Sequence, residues 1–356
     1  MVGLADIEDE PELTIAEALR ALPDGIFDDN SEPTYRDSLK AVKGPPIILP
    51  SGADRFIIAP SGEPQAKGTK YYATDRTTGV QFYVGTVFKY SSRRGLSYIS
   101  DALKYDRHVS ESYHGPWTHF MWPTVMAESN GNLLSINAWD RAHFTWGFYQ
   151  LAAHTPNDNF VLLLRKLLNL PDAADFFPDL ELSGGKVAQR TAAGLTDLEY
   201  ESEVAVGSSA ETQIRRLMTY LNPNSQRMDE KEAVAAARIL AWAQTNPDVL
   251  FATTEVSIEI MKRKLRRLDS RFGLSGRRVE LAIWISDMFH HGRGSAQKVR
   301  DALEQSTFNG QLDALSKIDT TGVHGNRLKA VKAHIKILLQ EGRFDGQLFG
   351  EGDLAL

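Results

Sequence analysis

The chain has 356 residues, 42% of them hydrophobic and 24% charged, with a net charge of −6 and no cysteine. That length supports one large domain or two smaller ones, and the missing cysteines exclude disulfides, thiolate metal sites and a cysteine nucleophile. No apolar run approaches the roughly 20 residues of a membrane span, and the N-terminus lacks the basic and apolar regions of a secretory signal.

Residues 1–45 carry eleven acids against four bases, so the acidity belongs to an N-terminal arm and the remainder is near neutral. The arm reads as a weakly packed or docking segment with one short helix at 14–22. Residues 46–95 form a small β-rich region. Its runs ADRFIIAP, TKYYATD and VQFYVGTVFKYS are β-branched and aromatic, separated by Gly, Pro, Asp and Ser, and predict three or four strands. From about 96 to the end helices dominate. They are predicted at 97–105, 116–128, 158–169, 210–221, 230–244, 254–267, 277–290, 295–305 and 326–340. A small β insertion is expected at 130–147. The fold class is therefore α+β: a mostly helical domain with a small hairpin sheet, preceded by the β-rich region.

The stretch ESNGNLLSINAWDRAHFTWGFYQ, from Glu128 to Gln150, carries the chemistry. Glu128 ends the apolar run WTHFMWPTVMAES, where desolvation would raise its pKa toward that of a general acid. Asp140 lies beyond a polar turn, beside Arg141, in surroundings that would keep it ionised. Thr145 offers a hydroxyl to hold a water against Asp140, and Gly147 lets backbone approach a sugar without a side chain in the way. Such a pair of carboxyls, on opposite walls of a cleft, is what glycoside hydrolysis needs. Trp139 and Trp146 are the candidate sugar platforms among the surrounding aromatics, and His143 takes a supporting role.

The order of these residues resembles the lysozyme superfamily, most closely the family 46 chitosanases. In those enzymes a helix-terminal Glu is followed by a hairpin bearing Asp, then Thr five later, then Gly two later; DRAHFTWG, Asp140 to Gly147, has that spacing. AHTPNDNFVLLLRKLL is similar to the family's second cleft helix, with Asn157 or Asp158 at its acidic substrate-binding position. FFPDLELSGGKV and the turn at His291-Gly292-Arg293-Gly294 resemble later segments of the family. The Glu128–Asp140 interval is shorter than the family's. Ala142 stands where it has Arg, and a basic helix bearing Lys262, Arg263, Lys264, Arg266, Arg267 and Arg271 replaces its acidic character.

The resemblance implies a lysozyme-like two-lobed catalytic domain over residues 96–356 and an inverting mechanism. Glu128 would protonate the glycosidic oxygen, and Asp140 with Thr145 would activate water, the two carboxyls standing roughly 6.5–9.5 Å apart. Trp139, Arg141, Trp146, Gly147, Tyr149, Gln150, Asn157 and Asp158 would bind substrate. No cofactor or metal is implied. The expected partner is an amino-sugar polysaccharide, peptidoglycan preferred over chitosan because a basic face suits its anionic components. The arm could meet a secretion carrier, a phage particle or an immunity protein. Without a signal, the expected route to the cell wall is non-classical export, injection, lysis or a phage particle.

Two rivals share these residues. ESNGNLLS followed by GFYQ is similar to the layout of lytic transglycosylases, which need one Glu and no aspartate. A non-catalytic glycan-binding module on the same scaffold is the other. Nucleic acid is not an expected partner: the chain is acidic overall and has no phosphate loop or zinc pattern.

Overall fold

A computed structural model describes residues 34–42, 47, 49, 54–206, 209–318 and 325–356; the helix expected at 14–22 lies outside them. The fold is α+β, and the chain divides into two compact units: one from residues 1–102 and 134–253, the other from 103–133 and 254–356.

The first unit is built on a seven-stranded antiparallel sheet with its strands in sequence order. These are β1 (Phe56–Pro60), β2 (Lys70–Asp75), β3 (Gln81–Tyr90), β4 (Arg93–Ile99), β5 (Ser135–Asn137), β6 (Thr145–Trp146) and β7 (Leu151–Ala152). Tyr71, Ala73 and Asp75 of β2 alternate inward, as a half-covered strand requires. The sheet runs across the boundary expected near residue 95: β4 pairs with β5, Tyr98 opposite Ile136. The β-rich region and the hairpin carrying Asp140 are thus parts of one sheet. The helix predicted at 97–105 is absent, because 93–99 is a strand, buried at every residue from Gly95 to Tyr98, that pairs with β3 on one side and β5 on the other.

One helix covers β1 to β4: α7 (Glu230–Thr245), alanine-rich on its packed face and opened by an Asp229–Glu232 capping box. At Gly95 the sheet lies close against the helix. A Cβ there would stand 2.6 Å from the Ala138 carbonyl oxygen and 2.7 Å from Glu232 Oε1, so only glycine fits. Part of the acidic arm docks here as well: α1 (Tyr35–Leu39) buries Tyr35 to 1% exposure, hydrogen-bonded to the Asp75 carboxylate, and Arg36 N donates to Gln244 Oε1. Weak packing of the arm does not hold for this segment.

The rest of the first unit comprises α4 (Phe160–Leu167), α5 (Ala173–Phe176) and α6 (Arg215–Leu221), with two small sheets between α5 and α6. Strands β8 (Leu180–Ser183), β9 (Lys186–Thr191) and β10 (Gly194–Asp197) form a meander, and β11 (Ser202–Val206) with β12 (Ser209–Gln213) forms a hairpin. The helix predicted at 210–221 therefore begins only at Arg215. Its first residues belong to β12, where Glu211 pairs with Val204.

The second unit is helical. It holds α2 (Arg107–His114), α3 (Trp117–Ser129), α8 (Pro247–Phe272) from residue 254, α9 (Val279–His290), α10 (Ala296–Leu303), α11 (Phe308–Ser316) and α12 (Gly325–Gln340). Helix α3 is apolar on all sides, and α2, α9 and α12 pack around it. A helix without a polar face has to be buried; of its residues only Trp122 and Met126 keep appreciable exposure. Among the described residues, no helix is long and apolar enough to cross a membrane.

Candidate functional site

In the second unit, Glu128 occupies the last turn of α3, which Asn130 ends in a left-handed conformation. A helix C-terminus carries partial negative charge and is a poor place for a buried carboxylate. Glu128 is 4% exposed, and two side chains from distant segments compensate it. Arg327 Nη1 of α12 stands 2.7 Å from its Oε1, and His290 Nε2 of α9 stands 3.2 Å from the same oxygen. Arg327 also donates through Nη2 to Asp287 Oδ1 at 2.6 Å, and Arg293 pairs with Asp287 Oδ2. Glu128, Asp287, Arg293 and Arg327 are each at most 4% exposed. Two guanidiniums thus balance two carboxylates in a dry interior.

This environment reverses an expectation. Burial does push the Glu128 carboxyl upward, but the Arg327 charge and then the His290 hydrogen bond outweigh it. Glu128 rests ionised, well below the usual carboxylate range. Asp287 is lowered likewise, burial being overcome by Arg327 and Arg293. His290 is lowered by burial and by Lys264, against the pull of Glu128.

In the first unit, Asp140 follows β5 and is half-buried. Its Oδ2 accepts from Asn137 Nδ2 at 3.1 Å and from Thr145 Oγ1 at 3.2 Å, and its Oδ1 accepts from Ala142 N at 2.9 Å. Pairing of β5 with β6 sets Asn137 opposite Thr145, which is why both reach one carboxylate. Arg141 Nη1 lies 3.2 Å from Glu211 Oε2 on β12. Glu211 Oε1 also lies 3.4 Å from His154 Nε2.

The expected substrate-binding residues divide. Trp146 is wholly buried, with its Nε1 donating to Thr253 Oγ1 at 3.2 Å, and Tyr149 is 1% exposed. Trp139 is 3% exposed and packs its ring 4.8 Å from Phe88 and 5.8 Å from Tyr90. None of the three offers a face to a sugar; they are core. Gly147 is also buried, and its φ of +75° shows that glycine is needed for the turn after β6, not for an approaching ligand. Arg141, Gln150 and Asp158 keep partial exposure, and Asn157 is exposed. Gln150 Nε2 is held by Ser135 Oγ and the Gly147 carbonyl, while Asn157 Oδ1 accepts from Arg165. His143 meets the Asn222 carbonyl through Nδ1 at 2.8 Å, a supporting place.

Sequence reasoning missed Arg327, Asp287 and His290 as neighbours of Glu128. The signal for Asp287 was present: it interrupts the apolar run IWISDMF, where a lone carboxylate must find a partner. It also missed Glu232, which is fully buried and accepts from the backbone N–H groups of Leu96 and Asp229. Burial holds the Glu232 carboxyl well above the ordinary range.

Among the described residues, one group could be considered for a metal: His108, Glu111 and His119 of the second unit, whose ligand atoms lie within 4.8 Å of one another. Its chemistry argues otherwise. Arg107 Nη1 faces His119 Nδ1 at 3.5 Å, and Arg343 pairs with Glu111. Burial and the Arg107 charge lower His119 to about 4, so its 3.0 Å contact with Glu111 is a hydrogen bond from a neutral ring rather than an ion pair. Two guanidiniums beside the donor atoms would repel a divalent cation, and the set is a hydrogen-bond network tying α2 to α3.

Compared with known proteins, the chain matches no family model, no curated protein and no solved structure.

Proposed function

We propose that the chain is a glycoside hydrolase of lysozyme-like arrangement that cleaves β-1,4 bonds of an amino-sugar polysaccharide by inversion. In this reading Glu128 protonates the leaving oxygen, and Asp140 with Thr145 activates water. The observation that carries it is the Asp140–Thr145 couple: a carboxylate oxygen 3.2 Å from a hydroxyl, braced by Asn137, is built to orient one water. A buried set of opposed charges around Glu128 adds support, since such groups cost folding energy and concentrate at functional sites.

Peptidoglycan is the preferred substrate over chitosan. Helix α8 exposes Arg266, Arg267 and Arg271 at its C-terminal end, a basic face suited to the anionic components of a cell wall. One observation favours a second reading, a glycan-binding module without catalysis: Glu128 rests ionised, and an ionised carboxylate cannot act as an acid.

Digestion of purified sacculi and of chitosan in parallel, with mass analysis, tests the proposal. Wild type should release new reducing ends, and Glu128→Gln and Asp140→Asn should release on the order of 100-fold less. Anhydro-sugar ends with full activity in Asp140→Asn would make the protein a lytic transglycosylase. Glycan binding without products would make it a binding module.

A further inference from the structure

An inverting hydrolase must reload its acid every turnover, and a Glu128 that rests ionised needs a proton delivered before it can act at all. Bulk water is poorly placed to supply it, since the Glu128 side chain is 5% exposed. Arg327 is nearest in charge but does not release protons, because a guanidinium stays protonated in proteins. The titratable ring in contact with it is His290, whose Nε2 stands 3.2 Å from Glu128 Oε1.

The other ring nitrogen has its own partner. His290 Nδ1 lies 3.5 Å from Nζ of Lys264, on α8. An ammonium has donors and no acceptor, so Nδ1 accepts and the ring proton sits on Nε2, aimed at Glu128. Burial keeps the ring neutral, so it carries that single proton. Lys264 is half-buried and reaches solvent. Lys264, His290 and Glu128 therefore form a line from the surface to the buried carboxyl. The charged groups facing the ring are Glu128 from α3, Lys264 from α8 and Arg327 from α12.

We propose that His290 is a relay that protonates Glu128 in each cycle and is itself recharged through Lys264. This rests on the hydrolase reading above. As Glu128 gives its proton to the glycosidic oxygen, the C–O bond breaks with its electron pair going to that oxygen. The attacking water loses its proton to Asp140, which later passes it to solvent. His290 then transfers the Nε2 proton to Glu128 while Nδ1 takes one from the Lys264 ammonium, and the Lys264 amine recovers a proton from water. A half-turn of the ring about Cβ–Cγ then brings its N–H back to Glu128 for the next cycle. The net change is one water added across the bond.

The test compares pH profiles of kcat and KM on sacculi for the full-length wild type, His290→Ala, His290→Gln and Lys264→Met, with and without added imidazole. Both His290 variants should lose on the order of 100-fold in kcat with KM unchanged. Imidazole should restore part of the His290→Ala activity. Lys264→Met, at a half-exposed position that folding tolerates, should lose roughly 10-fold and shift the profile. Wild-type kcat in His290→Gln and Lys264→Met would overturn the relay, as would a loss that imidazole does not restore with the pH profile unmoved. An inactive wild type would sink the hydrolase reading itself. An active wild type with a dead Glu128→Gln and a fully active His290→Gln would sink the relay alone.

Discussion

Glu128 in the helical unit and Glu232 in the sheet unit are both cut off from water, 4% and 0% exposed, and yet their carboxyl pKa values move in opposite directions. Glu128 has a guanidinium at 2.7 Å and stays ionised. Glu232 has only backbone N–H donors from Leu96 and Asp229, and its carboxyl is pushed well above the ordinary range. Burial acts upward on both. A full opposite charge reverses it and two peptide dipoles do not, so the partner rather than the depth decides the direction of the shift.

That contrast is easiest to break at Arg327. Replacing it with Met leaves Glu128 and Asp287 buried without their shared cation, and should cost about 3–5 kcal/mol at pH 7 by urea unfolding. The deficit should shrink in acid, where both carboxyls can protonate. A loss under 1 kcal/mol at pH 7 would mean that the two carboxylates are paired by other groups.

Trp146→Ala should be similarly damaging, about 3–5 kcal/mol, because it opens a cavity in the core of the sheet unit. Trp146→Phe should keep most of the stability and leave glycan affinity unchanged. A selective loss of affinity in Trp146→Phe would return this ring to the role of sugar platform.

The pH dependence separates the two glutamates by sign. The Glu128 and Asp287 pKa values are depressed on folding, so their stabilisation is complete above the ordinary carboxylate range and is lost as pH falls through the folded values. Glu232 is raised, so its contribution is most favourable below about pH 4.3, the ordinary Glu value, and declines as pH rises toward its folded value. Glu232→Gln removes the titrating group but keeps an acceptor for only one of the Leu96 and Asp229 N–H groups, which meet different oxygens of the carboxyl. It should therefore cost about 1 kcal/mol below about pH 4 and flatten the alkaline slope. An alkaline slope as steep as that of wild type would show that Glu232 is not the group behind it.

Thr145→Val removes the hydroxyl from Asp140 and should cost about 1 kcal/mol of stability. Under the proposed function it should also slow hydrolysis on the order of 100-fold. The smallest effect belongs to Arg141→Gln, which breaks a pair with Glu211 whose side chains are 38% and 31% exposed. Exposed pairs of this kind contribute at most about 1 kcal/mol, so a larger loss would point to a further role for Arg141.

How much could be read from the chain depends on range. The run WTHFMWPTVMAES declares a buried helix because no face of it is polar, and the β-branched runs from 56 to 90 declare strands. The Asp140–Thr145 contact was legible because Asp140, in the loop after β5, and Thr145, on β6, lie within one short segment. Arg327, Asp287 and His290 were not, since they reach Glu128 from helices more than 150 residues away and no local pattern links them. Trp139 and Trp146 show another limit: composition places an aromatic near a site but does not say which way its ring faces. The strands at 180–191 were legible and overlooked. Gly184-Gly185, both at positive φ, form the two-residue turn that pairs Ser183 with Lys186, a strong hairpin signal.

The most direct measurement is the anomeric form of the first sugars released from sacculi, followed by proton NMR before mutarotation. Inversion at a β-1,4 bond predicts the α-anomer from wild type and no signal from Asp140→Asn. A β-anomer, an anhydro-sugar or the absence of any product would contradict the assignment of Glu128 and Asp140 as acid and base.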